Sequence, residues 1–173
     1  MSCAYTLSGI ARDCERNSGG VKALAFAIRD DVTAKTLSTS GEKIDSITMA
    51  SGKKYKAFYF KKGMAEITSA PSFNEAGEYA GEVYTIAVQF GRQDTTKRVQ
   101  MDVLSKAELD CLYQDNNGIW WNLGYASPVM RNGGDSGTGA NREAFNRYGM
   151  QFTCEEDGFA IEVDADGAEA VIG

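Results

Sequence analysis

Hydrophobic and polar residues alternate with period two along most of this chain, the pattern of strands that turn one face inward. Val21 to Ile28 sets Leu24, Phe26 and Ile28 against Ala23, Ala25 and Ala27, which predicts large side chains in a core and small ones against a close neighbour. Asp30 to Gly41 is rich in Asp, Thr and Ser without a period and reads as a loop, and Ile44 to Ala50 reads as a short strand. Lys54 to Phe60 places Tyr55, Ala57 and Tyr59 opposite Lys56, Phe58 and Phe60; Lys62-Gly63 interrupts it, and Met64 to Ser69 continues as a more polar strand. Pro71 to Gly81 then carries Pro, Asn, Gly and Glu with little apolar content, before Glu82 to Phe90 alternates again with Tyr84, Ile86, Val88 and Phe90 as its core set. Tyr55 to Gly91 therefore reads as a long hairpin with a solvated arm.

The period changes once. In Gln93 to Ala107, Val99, Val103, Leu104 and Ala107 share a face at helical spacing, with Asp94, Thr95 or Thr96 to cap it, so one helix is expected. Glu108 to Tyr113 and Ile119 to Leu123 flank Asp115-Asn116-Asn117-Gly118, the strongest hairpin signal in the chain, and turn Trp120 and Trp121 to opposite faces. Residues 127–147 read as a Gly-rich loop. Tyr148 to Cys154 and Phe159 to Val163 read as a last hairpin around Glu155 to Gly158, and residues 164–173 as a solvated acidic tail. With residues 1–20 as a polar lead-in arm, the expectation is one domain over residues 1–173, with eight to ten strands, one helix and one arm.

Composition supports a β-rich domain: 19 Gly against 2 Pro favours turns over helices. A formal charge of −6 argues against a surface that grips nucleic acid, since phosphate contacts need clustered Lys and Arg. It suits a surface past which DNA slides. The N-terminus MSCAYTLSGIARD has no long apolar run and no later segment approaches the length of a membrane span, so synthesis in the cytoplasm without a membrane span is expected.

Chemistry is hard to place. The absence of His removes the Ser-His-Asp and Cys-His arrangements and imidazole zinc sites. Cys3, Cys14, Cys111 and Cys154 form no CxxC; a disulfide or thiolate metal site is set against reduced, mostly buried thiols, and the alternation around Cys111 and Cys154 favours the latter. GGDSGTG lacks the GKS/T ending of a P-loop, and the tail DADGAEAVIG lacks the ligand spacing of a calcium loop. Asp13, Glu15, Asp30 and Asp31, or Glu155, Glu156 and Asp157, read as solvated carboxylates. No catalytic residue, cofactor or metal is expected, and the protein is expected not to be an enzyme.

The segments GIARDCERNSGGVKALAFAIRDDV, YKAFYFKKGMAEITS, EVYTIAVQFGRQDTTKR, CLYQDNNGIWWNLG and YGMQFTCEE, in that order, resemble the tail-tube (major tail) proteins of bacteriophages that infect Bacteroidetes. That resemblance implies two packed antiparallel sheets forming a sandwich or near-barrel, with one flanking helix and a long hairpin arm at residues 70–81. It implies hexameric rings stacked into a tube that carries DNA, assembled in the host cytoplasm and incorporated into the virion tail. Its partners would be copies of itself, tail-end and tail-terminator proteins, and in some tails a sheath. Tyr55 to Ser69 and Glu82 to Phe90 are the expected channel-side strands. Glu66, Glu75, Glu78, Glu82, Tyr59 and Tyr79 are the candidate inter-subunit or lumen-facing residues. A head-decoration or head-tail joining protein, or a soluble β-sandwich binding module, fits the same composition.

Overall fold

In the computed structural model, which describes residues 7–10 and 17–173, the alternating segments form strands and the apolar halves of those strands meet in two separate cores. The strands are β1 (Val21–Ile28), β2 (Val32–Leu37), β3 (Lys43–Met49), β4 (Lys56–Phe58), β5 (Ala65–Phe73) and β6 (Tyr79–Gly91), followed by helix α1 (Thr95–Lys106). Then come β7 (Leu109–Asp115), β8 (Trp120–Leu123), β9 (Met130–Gly133), β10 (Ser136–Gly137), β11 (Arg147–Glu156) and β12 (Ile161–Val163), with helix α2 (Ala165–Val171) last. One sheet has seven strands in the order β2-β3-β12-β8-β7-β1-β4; the other runs β10-β11-β6-β5, with β9 also paired to β11. The result is a two-sheet β sandwich without a closed barrel.

The first core lies between the sheets: Leu24 and Phe26 of β1 and Cys111 of β7 meet Ile86, Val88 and Phe90 of β6 and Phe152 of β11. The second lies on the far side of the seven-stranded sheet, where Ala25, Ala27, Leu112 and Trp120 meet Ile44, Ile47, Tyr55 and Val163 and are closed by Ala168 and Val171 of α2. Strand β1 is thus buried on both faces, its large residues toward one core and its alanines toward the other, although Ile28 at its end is 41% exposed. Lys35 of β2 touches Asp110 of β7 and Asn122 of β8, which lie four and three strand positions away in the sheet. In a flat sheet those positions would be roughly 19 and 14 Å distant. The sheet is therefore rolled around its own second core.

Several expectations are corrected. Residues 32–37 are a strand, not a loop; β2 is an edge strand with mostly exposed side chains, so no apolar alternation marks it. The segment Lys54 to Phe60 yields only three strand residues, and they pair with β1 in the opposite sheet from β5 and β6. Tyr55 to Ser69 is therefore not one wall. Residues 127–147 hold β9 and β10, both paired with β11. The last two strands are no hairpin: β11 belongs to one sheet and β12 to the other, parallel to β3, so residues 157–160 cross between sheets. The acidic tail folds into α2, giving two helices among the described residues in place of one.

Helix α1 begins where expected, with Asp94 accepting from the Lys97 backbone N–H at 2.8 Å. Of the expected face, Leu104 is buried and Ala107 packs against the first core, joined by Met101, while Val99 and Val103 stay 46% and 44% exposed. The β7–β8 hairpin turns through Asn116 to Gly118 as expected, and Trp120 faces the second core while Trp121 is half-buried and donates to Asp115 at 3.3 Å. Most of the N-terminal arm, including Cys3, Cys14, Asp13 and Glu15, lies outside the described residues.

Candidate functional site

Strands β5 and β6 stay paired from Ala65 opposite Val88 to Phe73 opposite Tyr79, whereas β11 accompanies β6 only as far as Glu82. Beyond that point residues 71–81 form a two-stranded ribbon whose side chains are nearly all exposed. The expected solvated arm is thus a continuation of the sheet. Isolated ribbons are marginal in water, and two local devices hold this one. At the tip, Asn74 Oδ1 accepts from the backbone N–H groups of Ala76 and Glu78, each at 3.0 Å, and Asn74 Nδ2 donates to Glu78 Oε2 at 3.0 Å. Lower down, Phe73 and Tyr79 stack edge to face with centroids 6.3 Å apart, although they remain 59% and 50% exposed. Gly81 sits at the ribbon's root with φ of 138°, and a Cβ there would lie 2.1 Å from the Glu156 carbonyl oxygen. Only glycine lets β11 end so close.

The candidate residues divide accordingly. Glu75, Glu78 and Tyr79 gather on the exposed ribbon. Glu82 does not join them: its side chain takes the core-facing parity of Tyr84 and Ile86, is 5% exposed and accepts from the Tyr79 hydroxyl at 3.2 Å, so it cannot line a channel. Glu66 lies on the outer face of the five-stranded sheet, beside Thr68, Thr85 and Ala87. Tyr59 stands apart, 90% exposed at a shallow depression of about 470 Å³ shared with Phe60, Lys61 and Phe145.

A second surface feature has the opposite character. Ile28, Phe58, Val103 and Leu109 line an apolar groove of about 220 Å³ between α1 and the β1–β4 edge. Lys53, Lys54 and Lys56 rim it, and Lys53 also pairs with Asp31 at 3.3 Å. Val103 of α1, which the sequence placed in the core, forms the helical wall with Gln100 and Leu104.

The densest polar chemistry is buried. In the second core, Asp110 Oδ1 accepts from the Tyr55 hydroxyl and from Asn122 Nδ2, both at 2.7 Å, while Asp110 Oδ2 accepts from Lys35. Lys35 also donates to Asn122 Oδ1 at 2.8 Å and lies 5.5 Å from the Tyr125 ring centroid. Burial pushes the Asp110 carboxyl up from its usual range, opposed by Lys35, Tyr55 and Asn122. Beside this cluster the turn 124–126 is held from two sides. Glu156 accepts from the backbone N–H groups of Gly124, Tyr125 and Ala126 at 2.6, 3.0 and 2.9 Å. Arg29 donates to the carbonyl oxygens of the same three residues at 3.2 to 3.5 Å. Sequence reasoning passed over Lys35, Asp110 and Asn122 and read Glu156 as solvated. The available signal was Asp110, a charge within LDCL at a position whose parity matches Leu112.

Cys111 and Cys154 are free and buried in the first core. Burial raises both thiols, Cys154 to about 12. The same cause raises the Tyr55 and Tyr113 hydroxyls. These groups are held protonated in the fold but ionise when unfolded, so their contribution is complete below the unfolded-state values and is lost as pH rises past them. Stability is expected to decline above about pH 8.5 and more steeply above about pH 10. Pulse labelling with a thiol reagent at pH 8, read by peptide mapping, should modify Cys111 and Cys154 only at the rate of unfolding. Fast labelling of either would contradict the burial.

No helix of the described residues is long and apolar enough to cross a membrane. No protein-family model matches the chain, and neither the curated proteins nor the solved structures contain a match to it.

Proposed function

We propose that this chain is a structural subunit that polymerises with copies of itself into stacked hexameric rings, forming a phage tail tube through which DNA passes. The observation that carries the reading is the ribbon of residues 71–81: a sheet extension with an exposed aromatic pair and an acidic tip, it has no partner among the described residues. Open strand edges add to it, since β2 and β4 bound one sheet and β5 bounds the other, and an unpaired edge is a template for a neighbouring subunit. The outer face of the five-stranded sheet suits a channel wall: Thr68, Thr85, Gln89, Gln151 and Thr153 present neutral hydroxyls and amides, and Glu66 adds negative charge. Such a wall repels phosphate, and Arg147, which shares the outward parity of Gln151, is paired with Asp135 at 3.2 Å.

The groove between α1 and the β1–β4 edge is the receptor for the ribbon of a second copy. Its apolar floor takes Phe73 and Tyr79, and Lys53, Lys54 and Lys56 face Glu75 and Glu78. Charge complementarity of this kind sets register and partner choice.

Negative-stain electron microscopy of the purified protein tests the reading directly: tubes built of sixfold rings support it, and monomers at high concentration or isolated closed rings sink it. Because Pro71 pairs with Glu82, replacing residues 72–81 by Asn-Gly closes the strands with a two-residue turn. That variant should fold, with unchanged circular dichroism, and form no tubes. Reversing Glu75 and Glu78 to Lys should also abolish tubes, and reversing Lys53, Lys54 and Lys56 to Glu in the same chain should restore them. Tubes from the shortened variant would show that the ribbon is not the joint.

A further inference from the structure

The assembly reading makes no use of the buried cluster in the second core, where an amine and a carboxamide are held against each other over one carboxylate. Lys35 Nζ lies 2.8 Å from Asn122 Oδ1 and also donates to Asp110, while Asn122 Nδ2 donates to the other oxygen of Asp110 at 2.7 Å. The Lys35 and Asp110 side chains are 10% and 1% exposed, and Asn122 is 1% exposed. These three groups are the nucleophile, the electrophile and the proton carrier of an amide exchange, collected from positions 35, 110 and 122 by the rolling of the sheet. We propose that Lys35 and Asn122 join through an intramolecular isopeptide bond, with Asp110 as the catalytic acid and base.

The chemistry balances within the chain. A buried ion pair is converted to a neutral pair when Lys35 passes one ammonium proton to Asp110, which relieves the cost of holding two charges out of water. The freed Nζ lone pair attacks Cγ of Asn122, and the carbonyl electrons move onto Oδ1. Asp110, in contact with both nitrogens, gives its proton to Nδ2 and accepts one from Nζ. The Oδ1 electrons return, the Cγ–Nδ2 bond breaks, and Nδ2 leaves as ammonia. A secondary amide then links Nζ to Cγ, with Asp110 protonated or its proton carried off on ammonium. No oxidant or cofactor is needed. A cavity of about 260 Å³ lined by Arg29, Lys35, Asp110, Gly124 and Tyr125 opens at Lys35 and Asp110, both in contact with Asn122, and gives ammonia a way out. Proximity supplies most of the rate, since the groups are already in contact. The reaction is a single turnover in each chain.

The bond would tie the edge strand β2 to β8 across the mouth of the rolled sheet, where no hydrogen-bonded ladder among the described residues closes it. The decisive measurement is the intact mass of the full chain under denaturing conditions. The expected mass is lower than that of the sequence by one ammonia, about 17 Da. A tryptic digest should contain one branched peptide that joins the segments carrying Lys35 and Asn122. Lys35→Met, Asn122→Ala and Asp110→Ala should each return the mass to its own sequence value. An unshifted wild-type mass overturns the proposal even if every variant fails to fold. So does a loss of one water, about 18 Da, which would join Lys35 to Asp110, and so does an ammonia loss that persists in Lys35→Met, which would point to cyclisation at another asparagine. Because the mass is read on single chains, this outcome is independent of whether tubes form.

Discussion

Replacing Phe152 by alanine is expected to destabilise the fold by about 3 to 5 kcal/mol, the usual cost of removing a large buried aromatic. Phe152 is fully buried at the centre of β11, opposite Ile86 of β6, and its ring centroid lies 5.0 Å from that of Phe26 on β1 in the other sheet. Phe26 in turn meets Phe58 at 5.6 Å, and Phe58 meets Phe90 at 5.8 Å, so the ring of Phe152 belongs to a row of aromatics that spans both sheets. Removing it leaves a cavity that strands on both sides are too well paired to fill. For a chain of this size the melting temperature should drop by about 6 to 20 °C. Phe152→Leu, which keeps most of the volume, should cost less than half as much. Urea unfolding followed by tryptophan fluorescence provides the comparison, and an alanine variant within about 1 kcal/mol of wild type would show that the sheets do not depend on this contact.

The second large effect is expected at Glu156. Alanine there leaves the N–H groups of residues 124–126 without their acceptor, at a cost of about 3 kcal/mol given that hydrogen bonds to charged groups are the strong ones. Glutamine keeps one acceptor oxygen but turns an amide N–H₂ toward one of the donors, so it should recover only part of the loss. Because β11 carries Glu156 and the turn follows β8, the carboxylate joins the two sheets at the rim of the Lys35 cavity. Hydrogen exchange at Gly124 should therefore accelerate in Glu156→Ala more than at Ile86, in the middle of β6. Uniform acceleration would show that the turn has no local stability of its own.

Elements whose cause is local were readable from the sequence, and elements fixed by distant partners were not. Strands β1 and β6 announce themselves because each buries a strict every-second-residue set, and the β7–β8 turn because Asn117-Gly118 supplies its geometry. Strand β2 is silent because VTAKTL buries almost nothing, its pairing being satisfied through the backbone along β3. Helix α2 is silent because only Ala168 and Val171 of ADGAEAV are buried. The face of α1 was right at Leu104 but rotated at Val99 and Val103, because hydropathy favours the valines whereas the docking angle turns Met101 inward beside Leu104. The crossover at residues 157–160 looks like a hairpin because EEDG is good turn chemistry. Nothing local says that its two flanks pair with different sheets.

The candidate surface follows the same division. An acidic arm at residues 70–81 was legible from its composition, and so were the exposed positions of Glu75, Glu78 and Tyr79. Glu82 was misplaced because the core-facing parity of β6 extends one pair beyond the apolar residues that define it. The Lys35 cluster draws on residues 75 and 87 positions apart, and only the rolled sheet brings them into contact.

The place of β12 has a consequence for the timing of folding. Residues 161–163 fill the middle of the seven-stranded sheet, between β3 and β8. A nascent chain therefore carries two unsatisfied inner strands until residue 163 has left the ribosome. Synthesis proceeds at about 5 to 20 residues per second, and non-local pairings of this kind form slowly. During that interval Lys35 has no enclosed site, and β3 and β8 are as open as the outer edge strands β2, β4 and β5. A late central strand thus acts as a delay, holding the seven-stranded sheet open until residues 161–163 have been made.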